Sequence, residues 1–124
     1  MKNFYKKGNQ KINLSIKDIY EAVLGKNPKS IEFLKNKFRT ISINSKKIKK
    51  DDIFVAIKGM NFDGHDYLDE AFKNGAIAAI ISNEEKISSN TILVNDTKKS
   101  LSDIASFILK KFNPFIIGII SMSG

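Results

Sequence analysis

The sequence has 124 residues, no cysteine and a net charge of +8. Its length suits one domain with a buried core, and the lack of cysteine excludes disulfides, a thiolate nucleophile and cysteine-based zinc sites. The charge favours anionic partners without choosing among them, and the short apolar runs predict a cytoplasmic protein with no membrane contact.

The first predicted element is a helix that follows a polar leader. Residues 1–12 are basic and are expected to form a flexible leader. Ser15 is a candidate N-cap, because apolar residues recur after it at helical spacing as far as Gly25. Residues 26–38 give a mixed pattern, which we interpret as a loop with at most one strand.

Two strands and a second helix are predicted next. Residues 40–44 alternate in the manner of a strand, and residues 53–57 form a continuous apolar run typical of a buried strand. Asp66 is a candidate cap for the helix that follows. Asn74 and Gly75 predict the end of that helix in a left-handed turn.

The last part of the chain predicts three more strands and a third helix. The run at 76–82 is typical of a central parallel strand that is covered on both faces, and 91–95 is a shorter strand. Thr97 is a candidate cap for a helix that continues at the 3.6-residue period to Asn113. Residues 115–121 form one more apolar strand.

Strands that alternate with helices from residue 53 onward predict the fold class. We expect an α/β domain with a small mixed or parallel sheet and flanking helices, and we assign it to residues 13–113. Because the sequence stops directly after the strand at 115–121, residues 114–124 are expected to be the truncated start of a further domain.

Three stretches carry a family resemblance: ISINSKKIKKDDIFVAIKG, then NFDGHDYLDEAFKNGAIAAIIS, then ILVNDTKKSLSDIASFILKKFNPFIIGI. In this order they resemble, over residues 12–124, the amino-terminal region of the Mur ligases of peptidoglycan synthesis. Within the family they look most like the ligase that adds D-alanyl-D-alanine to UDP-N-acetylmuramoyl-tripeptide. The ligase that adds the third peptide residue shares the Asp-Gly-His turn and is the alternative.

This resemblance has implications for substrates and cofactors. It implies that the region binds the UDP moiety of a UDP-N-acetylmuramoyl-peptide, while a central domain holds ATP and Mg²⁺ and a third domain brings D-alanyl-D-alanine. The complete enzyme would form an amide through an acyl phosphate. By itself the chain is expected to be an inactive monomer without a cofactor.

By the resemblance, the family motifs place the UDP site on ten residues: Asn44, Ser45, Lys46, Lys47, Lys58, Gly59, Phe62, Asp63, Gly64 and His65. A hydroxyl can donate to a phosphate or uracil oxygen, lysines can neutralise a diphosphate, and glycines let the backbone approach closely. The two basic clusters and the glycine turn are therefore expected to line one pocket. The competing interpretation treats Ser45 as a turn residue and the lysines as solvated surface.

His65 is the only histidine in the sequence. No nucleophile or partner carboxylate is specified around it, so we interpret it as a helix-entry residue whose ring bonds nearby backbone rather than as a base. No catalytic residue and no metal site is predicted.

The chain departs from the family pattern at two places. Asn44 stands for an acid, and Lys46 stands for an arginine and lacks its planar fork. In GIISMSG, Gly118 and Gly124 match glycines of the family's phosphate loop, but Ser121 replaces the middle one. The Lys-Thr pair that would hold phosphate and Mg²⁺ is absent, so we expect no ATP binding by this chain.

A small basic α/β module that binds nucleic acid is the alternative from another functional class. Such proteins usually interleave arginines and exposed aromatic residues in the basic patch. Here Arg39 is the only arginine, and the phenylalanines mostly occupy core-like positions. We therefore expect no nucleic-acid partner.

Overall fold

The computed structural model describes residues 13–112 and, before them, the backbone of two short strands. These strands, β1 (Tyr5–Lys6) and β2 (Gln10–Lys11), pair antiparallel. The predicted strand at 115–121 and the assigned segment 114–124 lie outside the described residues.

A parallel sheet of four strands forms the centre of the fold. Its members are β3 (Ile41–Ser42), β4 (Ile53–Val55), β5 (Ala78–Ile81) and β6 (Thr91–Leu93). They lie side by side in chain order, and each neighbouring pair is parallel. The α/β class with flanking helices is confirmed, and all four strands of this sheet are parallel.

Within the described residues, four α-helices accompany the sheet: α1 (Ile16–Ala22), α2 (Ile31–Leu34), α3 (Leu68–Lys73) and α4 (Thr97–Phe112). The interpretation of residues 26–38 as a loop or strand was wrong, because α2 lies there. The Ser30 hydroxyl accepts a hydrogen bond from the Phe33 amide at 3.1 Å, and the Phe33 ring is buried. One capping bond and one buried ring thus stabilise a single turn whose periodicity is too short to recognise.

Two of the predicted helix caps were assigned to the wrong residue. The predicted cap Asp66 lies inside a 3-10 helix, Gly64–Tyr67, that precedes α3, and the side chain of Asp63 caps it. Similarly, Asp96 rather than Thr97 accepts from the first amides of α4, at 2.9 Å from Lys98 N. In both cases the carboxylate of a residue before the predicted cap accepts hydrogen bonds from the free amides of the first helical turn. Asp side chains are favoured at that position.

The sheet separates two apolar cores because successive strand residues point to opposite faces. One face packs with residues of α1, α2 and α4, and the other packs with α3 and the loop before β4. Examples from the first are Ile16, Ile53, Ile80, Ile92 and Ile104; the second includes Ile48, Phe54, Leu68, Ala71 and Ile81. The buried pattern of β5, predicted as covered on both faces, is therefore confirmed.

The outer edge of β6 is closed by the chain reversal after α1, where Lys26 N donates to Leu93 O at 2.8 Å and Asn27 adds two side-chain bonds. The Asn27 amide accepts from Leu93 N at 2.8 Å and donates to Thr91 O at 2.9 Å, so it pairs with β6 as another strand would. Asn27 is buried, and its own carbonyl accepts from the Tyr20 hydroxyl. At the opposite end of the order, β3 is the outermost strand.

Candidate functional site

The carboxyl ends of the four strands share one construction. After each strand an Asn or Asp side chain accepts the backbone N–H two residues further on, at 2.9 to 3.0 Å; these residues are Asn44, Asp63, Asn83 and Asp96. The carboxyl edge of a parallel sheet is where ligands of α/β proteins bind. The repeated turns therefore place short polar loops around that edge.

A cavity of about 570 Å³ opens at this edge. Its walls are Lys26, Lys58, Asp63, His65, Ser82, Asn83, Glu84, Glu85, Leu93, Val94 and Asn95. Three of the predicted UDP-site residues, Lys58, Asp63 and His65, meet here. The Lys26 ammonium donates to Asn95 Oδ1 at 2.8 Å, so it joins the loop after α1 to the loop after β6.

His65 is fixed in one tautomer by its two ring bonds. Its Nε2 accepts from the Ser82 amide at 3.0 Å, and an amide nitrogen can only donate. Nδ1 therefore carries the proton and donates to Asp63 Oδ1 at 2.7 Å. The ring is only 3% exposed, so it joins the β4 and β5 loops and has no free lone pair for proton abstraction.

Asp63 supports His65 twice, through its backbone amide and through its ring. Partial desolvation is the largest single influence on the Asp63 carboxyl and raises its pKa. The hydrogen bonds from His65 and the charge of Lys58 act in the opposite direction and together hold the pKa below its ordinary value. The carboxylate is thus kept ionised beside the cavity.

The glycine turn between Lys58 and Asp63 is a small hairpin. These two residues form an antiparallel bridge, and Gly59 N donates to Phe62 O at 2.6 Å. Met60 at the tip is fully exposed. The Phe62 ring is half exposed and stacks on Tyr67 with centroids 5.3 Å apart. The turn therefore carries an exposed aromatic pair, although neither ring lines the cavity.

Gly64 closes the base of this hairpin. Its amide donates to Ile57 O at 2.7 Å, and a Cβ atom built on it would lie 2.7 Å from Ile57 N. No side chain larger than hydrogen fits there without moving the backbone. At Gly59, by contrast, an added Cβ would lie 3.7 Å from the Phe62 carbonyl oxygen, an ordinary van der Waals distance.

The other predicted site residues lie after β3 and contact α3. The buried Ser45 hydroxyl donates to Glu70 Oε1 at 2.6 Å, and the Lys46 ammonium is 3.7 Å from the second oxygen of that carboxylate. Asn44 caps the short 3-10 helix that contains them. Lys46 and Lys47 line a second cavity, of about 470 Å³, and none of these four residues lines the first.

Several residues of the first cavity were not predicted from the sequence. Ser82, Asn83 and Asn95 follow the buried runs of β5 and β6 directly. Polar residues placed immediately after buried parallel strands are the signal that could have identified them. Lys26 gives no such signal, because it reaches the cavity only through the chain reversal after α1.

Two negative findings apply to the part of the chain that the structure describes. No group of three His, Cys, Asp or Glu residues is placed to hold a metal ion, and no helix is long and apolar enough to cross a membrane. Gly118, Ser121 and Gly124, the residues matched to a phosphate loop, lie outside the described residues.

Comparison with known sequences supports one family. Residues 37–118 match the sequence model described as Mur ligase family, catalytic domain. The UDP-N-acetylmuramoyl-L-alanyl-D-glutamate–2,6-diaminopimelate ligase of Fusobacterium nucleatum is 44% identical over 59% of this chain and 16% of its own length. The UDP-N-acetylmuramoyl-tripeptide–D-alanyl-D-alanine ligase of Haemophilus influenzae is 34% identical over 68% of the chain and 19% of its own.

Solved structures agree with this fold. The MurF ligase of Thermotoga maritima, crystallised with ADP, is 40% identical over 59% of the chain and 17% of its own length, with a TM-score of 0.55. MurF of Acinetobacter baumannii superimposes with a TM-score of 0.63 over 77% of the chain and 21% of its own length, at 21% identity. The chain thus spans about a fifth of these relatives.

Proposed function

We propose, since this chain belongs to the Mur ligase family, that its sheet edge binds the uridine diphosphate part of a UDP-N-acetylmuramoyl-peptide. The observation that carries the proposal is the hairpin at Lys58–Asp63: its two end residues line the 570 Å³ cavity, and the half-exposed Phe62 ring lies between them in the sequence. A uracil ring can stack on Phe62, and the Lys58 ammonium can pair with a phosphate.

The remaining groups of the cavity shape the site. His65 and Asp63 hold the hairpin against the β5 loop, and Gly64 lets the two backbones touch. Ser82, Asn83 and Asn95 offer the neutral donors and acceptors that a ribose or uracil needs. Lys46 and Lys47 line a different cavity, so we do not assign them to this ligand.

We further propose that the longer protein joins an amine to the peptide carboxylate. The carboxylate attacks the terminal phosphorus of ATP and releases ADP, and the amine then displaces phosphate from the acyl phosphate. The chain itself, which we divide at residue 113, supplies only the substrate-holding step. Mixed with ATP, substrate and amine, it is expected to release no phosphate.

The incoming amine is proposed to be D-alanyl-D-alanine. The reason is the aromatic residue Phe62 before the Asp-Gly-His turn, which resembles the ligase that adds this dipeptide. The third-residue ligase is the second candidate, because the diaminopimelate-adding relative of Fusobacterium is 44% identical over its matched part. Phosphate release by the longer protein distinguishes the two. The first candidate predicts release with UDP-N-acetylmuramoyl-tripeptide plus D-alanyl-D-alanine, and the second predicts it with the dipeptide precursor plus diaminopimelate or lysine.

Calorimetric titration of the chain tests the binding proposal. UDP and UDP-N-acetylmuramoyl-tripeptide should bind at one site and compete, whereas a short single-stranded oligonucleotide should not bind. Phe62→Ala and Lys58→Gln should each weaken UDP binding by about 5- to 50-fold.

Lys98→Gln is the matched control. Lys98 is an exposed lysine of α4, and its substitution should leave UDP binding unchanged. Salt-sensitive oligonucleotide binding without UDP binding would overturn the proposal in favour of a nucleic-acid module.

A further inference from the structure

The hydrogen bonds between β4 and β5 continue onto a side chain at the carboxyl end of the sheet. Ala56 N donates to the Ile80 carbonyl at 3.0 Å, whereas the amide of Ser82, two residues further along, donates to His65 Nε2 at 3.0 Å. A backbone carbonyl keeps its lone pairs in ordinary buffers, but an imidazole loses the Nε2 lone pair when it is protonated. The junction between the hairpin and the β5 loop therefore depends on the charge of one ring.

The two ring bonds of His65 respond to a proton in opposite ways. Nδ1 donates to Asp63 Oδ1 at 2.7 Å, and this bond becomes a charged pair when the ring is an imidazolium. At Nε2, a new N–H would face the N–H of Ser82, so two donors would oppose each other across 3.0 Å. Because Asp63 belongs to the hairpin and Ser82 to the β5 loop, a protonated ring stays with the hairpin and separates from the loop.

The surroundings of the ring leave it little freedom to avoid this conflict. His65 is 3% exposed, and the backbone next to it is fixed, since Gly64 N donates to Ile57 O at 2.7 Å. The amide of His65 donates to the same Asp63 oxygen that accepts from its ring, at 2.9 Å. The ring can therefore lose its contact with Ser82 only if the two loops move apart.

Charged groups lie on both sides of the ring, because His65 lines the 570 Å³ cavity and also a cavity of about 320 Å³ beside α3. The charged residues of these two cavities are Lys26, Lys58, Asp63, Glu84, Glu85, Asp66, Asp69 and Lys86. Carboxylates are in the majority, so an imidazolium would meet opposite charges in both directions. The pKa of the Asp63 carboxyl lies below its ordinary value of 3.8, so Asp63 keeps its charge down to about pH 5.

We propose that the protonation state of His65 regulates ligand binding at the 570 Å³ cavity. The neutral ring holds the hairpin and the β5 loop together as two walls of the cavity, and the imidazolium releases the β5 loop and weakens the ligand held between them. This inference rests on the proposed function, because the cavity is the one assigned to the UDP part of the substrate. The β5 loop keeps a bond of its own, since Asn83 Oδ1 accepts from Glu85 N at 2.9 Å, so its release changes the spacing of the walls without unfolding the loop.

Nuclear magnetic resonance of the ligand-free chain tests the link itself. His65 is the only histidine in the sequence, so its ring nitrogen signals are assigned without mutation. From about pH 8 to about pH 5, the range in which histidines ordinarily change charge, the ring should pass from the tautomer with its proton on Nδ1 to the imidazolium. The protection of the Ser82 amide against deuterium exchange, corrected for the chemical rate at each pH, should fall with it by about 3- to 10-fold. The Val94 amide, which donates to the Ile81 carbonyl, is the control and should keep its protection.

Calorimetric titration at the two ends of this pH range tests the effect on binding. UDP-N-acetylmuramoyl-tripeptide is the ligand, because both of its phosphates are esterified, whereas a terminal phosphate changes charge at about pH 6. Binding to the parent chain should be about 3- to 10-fold weaker at the acid end. His65→Gln carries a side-chain amide that takes up no proton in this range, and it should bind with equal affinity at both ends. Glu85→Gln removes an exposed carboxylate of the same cavity and should keep the full pH dependence.

Three results would overturn the inference: Ser82 protection that does not follow the charge of the ring, equal affinity of the parent chain at both pH values, or an unchanged pH dependence in His65→Gln. If His65→Gln does not fold, the ring and Ser82 signals of the parent chain still decide the question. Absence of ligand binding at every pH, together with Ser82 protection that follows the ring, would refute only the proposed function.

Discussion

His65 connects two loops because both of its ring nitrogens are engaged, one by Asp63 and one by the Ser82 amide. From the sequence we could infer that its ring would bond backbone, but not that the backbone would belong to another strand. Contacts between residues 17 positions apart depend on the packing of the strands. An imidazolium has no lone pair at Nε2, so protonation would cost the bond to Ser82.

Acid titration of stability should report the Asp63 carboxylate. Its folded-state pKa lies below the ordinary value of 3.8. Its contribution to stability is therefore complete above that value and is lost as the pH falls through the lower, folded-state pKa. In urea unfolding below about pH 4, Asp63→Asn should lose stability with falling pH less steeply than the parent.

Asp66→Asn is the matched control for that experiment. Asp66 is exposed, and within the described residues its side chain makes no hydrogen bond or ion pair. The slope of Asp66→Asn should equal that of the parent chain. An unchanged slope in Asp63→Asn would show that its carboxylate is no more acidic in the folded chain than in the unfolded one.

Gly64 and Gly59 occupy the same hairpin under opposite constraints, so one substitution at each gives an internal comparison. A methyl group at Gly64 would press on the backbone of Ile57 and Ala56 at 2.7 and 2.9 Å. Gly64→Ala should lower the free energy of unfolding by about 1–3 kcal/mol. Gly59→Ala should change it by no more than about 0.5 kcal/mol. Similar losses in both variants, measured by urea denaturation, would contradict the close approach at Gly64.

Asn27 acts in place of a strand along β6, and its removal should affect the whole sheet. Asn27→Ala leaves the Leu93 amide and the Thr91 carbonyl unpaired in a buried position. Each such group costs about 1–3 kcal/mol, so a combined loss of about 2–6 kcal/mol is expected. Exchange of the Leu93 amide with deuterium should accelerate in the same variant.

Asn90→Ala is the control for the Asn27 prediction. Asn90 is exposed in the loop before β6, and its substitution should change stability by no more than about 0.5 kcal/mol. Equal effects of the two variants would mean that the amide of Asn27 contributes nothing beyond an ordinary surface residue.

The elements divide clearly into those that the sequence predicts and those that it does not. Long periodic or continuous apolar patterns, as in α4 and β5, specify both type and position. The Ser15 cap of α1 was predicted correctly, but the single turn α2 and the caps before α3 and α4 were missed. Each of these depends on one or two side-chain hydrogen bonds that compete with neighbouring candidates. In the sequence, Asp63 competes with Asp66 as a cap, and Asp96 competes with Thr97. Only the backbone conformation decides which side chain reaches the free amides.

The two cores should respond independently to mutation, because the sheet lies between them. Ile16 belongs to one core and Leu68 to the other. Ile16→Val should cost about 0.5–1.5 kcal/mol and Leu68→Ala about 2–5 kcal/mol. The double variant should equal their sum within about 0.5 kcal/mol in urea denaturation. A larger deviation would show that the cores are coupled through the sheet.

The candidate site was predicted in part. Lys58, Asp63 and His65 were assigned to one site through the family resemblance, and the structure places them around one cavity. The lysines after β3 are close to them in sequence, yet the structure puts Lys46 and Lys47 in a separate cavity. Sequence proximity gave no warning of this, because the loop after β3 packs on Glu70 of α3, whereas the hairpin after β4 meets the β5 loop.

The contrast between the edge occupied by Asn27 and the outermost strand β3 bears on self-association. Indefinite fibrous growth through a sheet requires two vacant sides on every subunit, so that each newcomer offers a fresh attachment point. Here one side of the four-stranded sheet is already taken from within the chain. If two subunits paired through β3, each would use its one remaining sheet edge, and growth would stop at a dimer. The geometry of this sheet therefore opposes polymerisation.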